Sequence, residues 1–342
     1  AEGRVPLLGD GALRDMLDDR AGWAGWADEV DTLLVPGDRG SFLAEPNVSW
    51  LAHLMSERLD GRAGVWKHLV PIAVGERPKR HLFAVHGEFG NVVGYRDLAV
   101  ALGEDWAVVG VQASGVHGTQ PLHTSIEEMA AAYLDEVIRW QPAGPYVIGG
   151  YSSGGTVALE LARQLQRAGR EVECVLWFDH YRVEGSRVEP TVARALRRGT
   201  TRLKSLLTDR QAFDAGMRRR ALQRKAATIE RTPEWWWAIT EAADDRAEAE
   251  DLRAMLLAEN MRQARSRYEH TGYDGRIILY QAEQVDAGRD PDRGWTDGDL
   301  DLERVEVPGD HTTLLLEPHV GRLADDLRAR FEVTGSAVQS VE

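Results

Sequence analysis

Cysteine is almost missing from this chain: Cys174 is the only one in 342 residues, inside the apolar run Val172-Glu173-Cys174-Val175-Leu176-Trp177-Phe178. An intrachain disulfide is therefore excluded, and a thiol within a strand-like run reads as buried and structural. No apolar stretch approaches the ~18 residues of a membrane span. The N-terminus also lacks a basic-then-apolar signal pattern, so the expectation is a soluble, cytoplasmic protein with no membrane partner. Positive charge is in deficit, with 41 Lys+Arg against 55 Asp+Glu and a net charge of -14. That balance argues against a nucleic-acid surface and leaves a small or acyl-type substrate as the default. No His/Cys/Asp/Glu cluster has metal-ligand spacing, and neither a metal nor a bound cofactor is expected. With 43% hydrophobic residues, the chain can build one large α/β domain with an insertion, or two modest domains.

The most informative stretch is Tyr146-Val147-Ile148-Gly149-Gly150-Tyr151-Ser152-Ser153-Gly154-Gly155. An apolar strand runs into a Gly-x-Ser-x-Gly turn, and the turn runs into Thr156 to Ala162, which reads as helix. Strand, strained turn and helix in that order hold a serine hydroxyl exposed at the top of a sheet, and the flanking glycines are expected to let the backbone bend that tightly. Around this stretch strands and helices alternate. Val70 to Ile72 and His81 to Val85 read as strands, Tyr95 to Leu102 as helix and Trp106 to Val111 as strand. Residues 125–140 then place Ile126, Met129, Ala130, Tyr133, Leu134 and Val137 on one helical face. The expected fold class is α/β, with a mostly parallel sheet flanked by helices.

Alternation stops at Asp179 and resumes at Arg276-Ile277-Ile278-Leu279-Tyr280-Gln281. The segment between reads as helical and is polarised. Arg194 to Lys225 carries eleven basic residues against Asp209 and Asp214, and Glu241 to Asp251 carries six acids against Arg246. Trp235, Trp236 and Trp237 stand between these blocks. They read as a small core of a helical subdomain, as the lining of a substrate cavity beneath a mobile lid, or as both at once. Before residue 66 no α/β alternation is seen. Val35-Pro36-Gly37-Asp38-Arg39 instead repeats Val307-Pro308-Gly309-Asp310-His311 at an offset of 272, and the match continues through Glu45-Pro46 against Glu317-Pro318. Residues 1–65 are read as a remnant of a second, related domain, 66–335 as the main domain with a lid at about 183–272, and 336–342 as a flexible tail.

A serine hydroxyl needs a base within reach and a carboxylate that fixes the base's tautomer. Asp179 ends the strand after the elbow helix, so in a parallel sheet it emerges at the same edge as Ser152; capping a helix is its other reading. His311 follows the strand and Pro-Gly turn Val305-Glu306-Val307-Pro308-Gly309. His86 precedes the elbow, and the side chain of His180 is expected to point away from Asp179. His123, His270 and His319 are expected to be lone surface histidines. Two donors for a developing oxyanion are expected from the backbone N–H of Ser153 and, in the loop His86-Gly87-Glu88-Phe89-Gly90, from that of Glu88.

Leu82-Phe83-Ala84-Val85-His86-Gly87, Gly150-Tyr151-Ser152-Ser153-Gly154-Gly155, Phe178-Asp179 and Gly309-Asp310-His311 together resemble the type I thioesterase domains that end nonribosomal peptide and polyketide synthetases. The resemblance covers residues 66–335 and implies an α/β-hydrolase fold with a helical lid. It implies that Ser152 takes a peptidyl or polyketide chain from the phosphopantetheine arm of an upstream carrier protein, with His311 as base and then acid and Asp179 as its orienter. Release by macrocyclisation is favoured over hydrolysis; an editing thioesterase and a non-catalytic carrier-docking domain are the alternatives. Two departures stand out. Glu88 occupies a position where such domains usually carry a small or apolar residue. Arg39 stands where the N-terminal remnant would need its histidine, so general-base catalysis by that remnant is not expected.

Overall fold

The computed structural model describes residues 66–332 except 76–77, 117–120, 183–220, 271, 286–289, 296–299 and scattered positions between 223 and 245; of the first 65 residues it describes Leu51 and Met55. The chain divides into two units, Ala1–Val65 and Trp66–Glu342. The expectations placed on the first 65 residues, on the basic block up to Arg220, on Trp236 and Trp237 and on residues 336–342 lie outside the described residues, Leu51 and Met55 apart.

Among the described residues seven strands form one sheet in the order β1-β3-β2-β4-β5-β6-β7: β1 Leu69–Ala73, β2 Arg80–Val85, β3 Trp106–Val111, β4 Tyr146–Tyr151, β5 Val172–Phe178, β6 Ile277–Ala282 and β7 Leu302–Val307. Only β1 is antiparallel, pairing with β3 at the sheet's edge. All other pairings are parallel. The described helices are α1 Arg96–Leu102, α2 Ile126–Trp140, α3 Gly154–Arg167, α4 Arg246–Arg267 and α5 Val320–Glu332. This is the α/β-hydrolase architecture.

The inner strands β3, β2, β4, β5 and β6 are largely apolar on both faces because both are covered, whereas the edge strand β7 carries Glu303, Arg304 and Glu306. Phe83, Val85, Val109, Ile148, Val175 and Trp177 pack towards α2, α3 and α4. Their sequence neighbours Leu82, Ala84, Val108, Val147, Leu176 and Phe178 pack towards α1 and α5 on the other side. Cys174 belongs to this second layer at 1% exposure, and burial pushes its thiol up to about 12. The start of α2 is fixed by a capping box between Ser125 and Glu128. Further along α2, the buried Glu136 accepts from the backbone N–H groups of Lys67, His68 and Leu69, tying the entry of β1 to that helix.

Strand order places the site. The connection after β2 leads to β3 on one side, while β4 lies on the other, so the crevice between the carboxyl ends of β2 and β4 is a topological switch point. Register brings Val85 opposite Gly150, Tyr151 opposite Phe178 and Ala282 opposite Val307. The loops beginning at His86, Ser152, Asp179 and Pro308 therefore leave the sheet at one edge. Among the described residues no helix is long and apolar enough to cross a membrane.

Candidate active site

Ser152 follows the last residue of β4 and has φ 53. Its N–H still donates to Phe178 O at 2.9 Å, so the turn starts while the ladder to β5 is intact. The strain falls on the serine itself, at a cost of about 1 kcal/mol for a non-glycine residue in the left-handed region. Gly150 and Gly154, expected to supply the bend, have no positive φ. Their role is clearance. A Cβ on Gly150 would lie 2.4 Å from the Gly154 carbonyl oxygen, and one on Gly154 would lie 2.2 Å from the His86 carbonyl oxygen. The helix must cross this close to the strand and to the loop after β2, and only glycine leaves the room.

Asp179 follows β5 directly, with φ 49 and no exposure. His311 Nδ1 lies 2.7 Å from Asp179 Oδ2, and His311 Nε2 lies 3.0 Å from Ser152 Oγ. An ionised carboxylate only accepts, so Nδ1 carries the imidazole proton and Nε2 is left to accept from the serine hydroxyl. The other carboxylate oxygen, Oδ1, accepts from the Ala282 N–H at 3.0 Å and from Arg293 Nε at 2.8 Å. Burial alone would push the Asp179 carboxyl up. Hydrogen bonds from His311, Ala282 and Arg293, with the Arg293 charge, outweigh it and hold the group below the usual aspartate value.

The turn carrying His311 is fixed from two directions. Asp310 Oδ1 accepts from the N–H and hydroxyl groups of both Thr312 and Thr313, which lower its carboxyl to about 2. Tyr151 stacks on the His311 ring at 5.2 Å between centroids, and its hydroxyl donates to His311 O at 2.6 Å.

The amides of Ser153 and Glu88 donate to no acceptor among the described residues. Ser153 also makes no side-chain cap at the start of α3, which leaves the positive end of that helix open beside Ser152. The loop that presents Glu88 is clasped by Tyr95, whose hydroxyl donates to Val85 O at 2.6 Å and accepts from Tyr151 N at 2.7 Å. His86 is buried at 1% exposure, with Nδ1 2.8 Å from Gly87 O and Nε2 3.0 Å from the Tyr133 hydroxyl. Burial lowers it to about 4, so it is a neutral loop anchor rather than a base.

Several histidines differ from expectation. His180 turns away from the Asp179 carboxylate but is wholly buried, with Nδ1 2.7 Å from Ser152 O and its ring filling the space that Gly155 leaves empty. Burial drives it well below the ordinary histidine value. His123, His270 and His319, expected as lone surface groups, are half-buried. His123 sits among the rings of His68 and Tyr133, and His270 against Tyr268 and Trp295. A histidine in a turn looks exposed in sequence because the ring that will cover it is remote along the chain.

Trp235 is fully buried with Leu222, Ala226, Ile239, Leu252 and Leu256 in an apolar cluster that also takes in Leu122, so it forms part of a small core of the inserted segment. Among the described residues, the helix of that segment nearest the site is α4. Its Arg265 donates to Thr156 Oγ1 at 3.1 Å and to Tyr181 O at 2.6 Å, and Asn260 donates to His123 O. Two recesses flank the loop after β2. One, a narrow gap of about 10 Å³, is lined by His86, Glu88, Ser114, Tyr133, Leu257 and Asn260. The other, of about 130 Å³, is lined by Glu88, Phe89, Tyr95, Tyr151, Thr312 and Leu316. Glu88 is half-buried and borders both. A larger recess of about 780 Å³, bordered by Lys79, Trp106 and Arg328, lies at the opposite edge of the sheet, away from Ser152.

Residues 80–331 match a family model described as the thioesterase domain. Over 135 residues the chain is 37% identical to "Inactive atromentin synthetase invA6" of Paxillus involutus, covering 39% of this chain and 14% of that protein. Over 271 residues it is 25% identical to "Enterobactin synthase component F" of Escherichia coli O157:H7, covering 78% of this chain and 19% of that protein. The chain thus spans only a small part of the length of these curated relatives. Among solved structures, the NocB thioesterase domain from the nocardicin cluster aligns at 28% identity and a TM-score of 0.51, covering 75% of this chain and 96% of that one.

Proposed function

The chain belongs to the thioesterase domain family, and on that footing we propose that it is a chain-terminating thioesterase that takes a peptidyl or polyketide chain from a carrier protein's phosphopantetheine thioester and releases it. The observation that carries this is the hydrogen-bonded line from Ser152 through His311 to Asp179, at 3.0 and 2.7 Å, beside two amides that find no acceptor among the described residues.

In the acylation step the Ser152 hydroxyl proton passes to His311 Nε2 as Oγ attacks the thioester carbonyl. The N–H groups of Ser153 and Glu88 receive the developing oxyanion. Collapse expels the pantetheine thiolate, which takes the proton from His311 and leaves as thiol. A second nucleophile then gives its proton to His311 and attacks the ester, and Ser152 leaves reprotonated. No metal or bound cofactor enters these steps. The carrier protein that delivers the chain is the partner this chemistry requires, and it would be an upstream domain of the same synthetase.

Incubation with a peptidyl-N-acetylcysteamine thioester tests the proposal by mass spectrometry. An acyl adduct on the wild type that is absent from Ser152→Ala, with kcat lowered by about 10⁴-fold or more, is the expected result. No adduct and no turnover, with small or carrier-bound thioesters, would favour a docking domain and overturn the reading. A second nucleophile on the acyl chain itself is the release route we favour: Leu257 and Asn260 of α4 line a recess beside Glu88, and an apolar wall there would disfavour attack by water. A product 18 mass units lighter than the free acid, about one water, identifies cyclisation; the free acid identifies hydrolysis.

A further inference from the structure

Arg293 takes no part in the steps above, yet it lies buried behind them at 1% exposure. A buried guanidinium is costly unless every donor is directed at a partner. Its Nε donates to Asp179 Oδ1 at 2.8 Å, one terminal nitrogen to Ala282 O at 2.7 Å and the other to Pro291 O at 2.9 Å. The Tyr181 ring lies 5.0 Å from its central carbon. Its loop is shaped to present it. Asp290 accepts from the N–H groups of Asp292 and Gly294, and Arg182 N donates to Arg293 O at 2.8 Å. Among the described residues, those other than glycine with positive φ are Ser152, Asp179 and Arg293, so backbone strain gathers at the nucleophile, the acid and this arginine.

We propose that Arg293 is a positioning residue of the acyl-transfer site: by clamping Asp179 Oδ1 and compensating the buried carboxylate's charge, it reserves Oδ2 for His311 and extends activation of Ser152 towards acid pH. This rests on the acyl-transfer reading of Ser152. Arg293 and His311 are the charged or titratable side chains in contact with the Asp179 carboxylate. Around His311 stand Ser152, the stacked Tyr151 and the edge of Tyr181. Behind the elbow lie His180 and its neighbours Arg265 and His270, and Glu88 faces Arg265. Arg182 lies over Trp295. Deleting the Arg293 charge removes the cation nearest to the His311–Asp179 pair. A proton is then bound more readily by either member of the pair, whichever takes it, and the acidic limb of the rate profile must move to higher pH.

The test uses the full chain and two readouts from about pH 5 to about 9: phosphonylation of Ser152 by a small fluorophosphonate, and kcat/KM on an acyl-N-acetylcysteamine thioester. Arg293→Gln should move the acidic limb up by about one pH unit. Arg293→Lys, which keeps the charge but cannot span Asp179, Ala282 and Pro291 together, should leave the limb in place and lower the plateau of kcat with KM unchanged. A purely structural arginine would lower the amount of folded protein and leave the limb where it was. A glutamine variant whose limb overlays the wild type overturns the inference. If that variant does not fold, a lysine variant with a wild-type plateau does so instead. Wild type that is phosphonylated, turns over thioester and fails only these comparisons leaves the release reading intact; wild type that does neither removes both.

Discussion

Ser152, His311 and Asp179 form a hydrogen-bonded line, the proposed proton path, in which each side chain is held by something other than its neighbour in that line. Ser152 is placed by the elbow, His311 by the Asp310 turn and the Tyr151 stack, and Asp179 by Ala282 and Arg293. Asp179→Asn should therefore leave the fold in place and still lower kcat by about 10⁴-fold, because an amide that donates to His311 Nδ1 selects the wrong tautomer; single-turnover acylation with the thioester measures it. Glu88 gives a second expectation at this scale. Glu88 is half-buried and borders both recesses that flank the loop after β2, so Glu88→Gln should change the ratio of cyclised to hydrolysed product. Equal ratios would show that only the Glu88 backbone matters. At this scale the sequence was highly legible for Ser152, Asp179 and His311, since each sits where an apolar strand or a Pro-Gly turn ends. Arg293 and His180 gave no such signal. One lies in the polar run Asp290-Pro291-Asp292-Arg293 and reads as surface; the other is the residue after the acid, and its destination beneath Gly155 depends on how α3 crosses β5.

Elements meet here at distances that a single carbon decides. Gly154 opens α3 directly over the His86 carbonyl, and Gly154→Ala should destabilise the protein by about 2–4 kcal/mol through a backbone clash rather than through a disallowed φ. A lowered urea midpoint checks this, and an unchanged midpoint would mean that α3 has room to move. Trp235 tests the inserted segment. Removing its ring from the cluster with Leu252 and Leu256 should cost about 3–5 kcal/mol locally. Hydrogen exchange in α4 should accelerate, while β4 and β5 keep their protection. The sequence offered two readings of this tryptophan, own core or cavity lining. Burial against α4 bears out the first, because a wide ring beside Leu252 and Leu256 leaves water completely there.

For the whole molecule, pH acts through groups that folding keeps uncharged. His86 is lowered to about 4 by burial, against about 6.5 in an unfolded chain. Between those values the unfolded state binds a proton that the folded state refuses, so stability falls as pH drops from about 6.5 and levels off near 4. At pH 5 the loss from His86 alone should be on the order of 2 kcal/mol relative to pH 7. Urea unfolding of wild type and His86→Gln at both pH values measures it, and the glutamine variant should lose correspondingly less. Asp179 acts in the opposite sense of charge. Its carboxyl is held below the usual value, so its contribution is present above about pH 4 and is lost only as pH falls through the lowered native value.

The alternation of strand and helix, the elbow, the acid after β5 and the histidine after β7 were all written in the linear order of residues, because apolar runs ended by glycine, proline or a charge are local facts. Sequence alone therefore determined the fold class and which three side chains meet in the hydrogen-bonded line at the sheet's edge. Tertiary structure decided what surrounds them. The clamp of Arg293 on Asp179, the burial of His86 and His180, the clearance role of Gly150 and Gly154 and the withdrawal of Trp235 into its own cluster join residues far apart in the chain. Their roles follow from which surfaces meet when the sheet closes with its helices, and no local pattern encodes that.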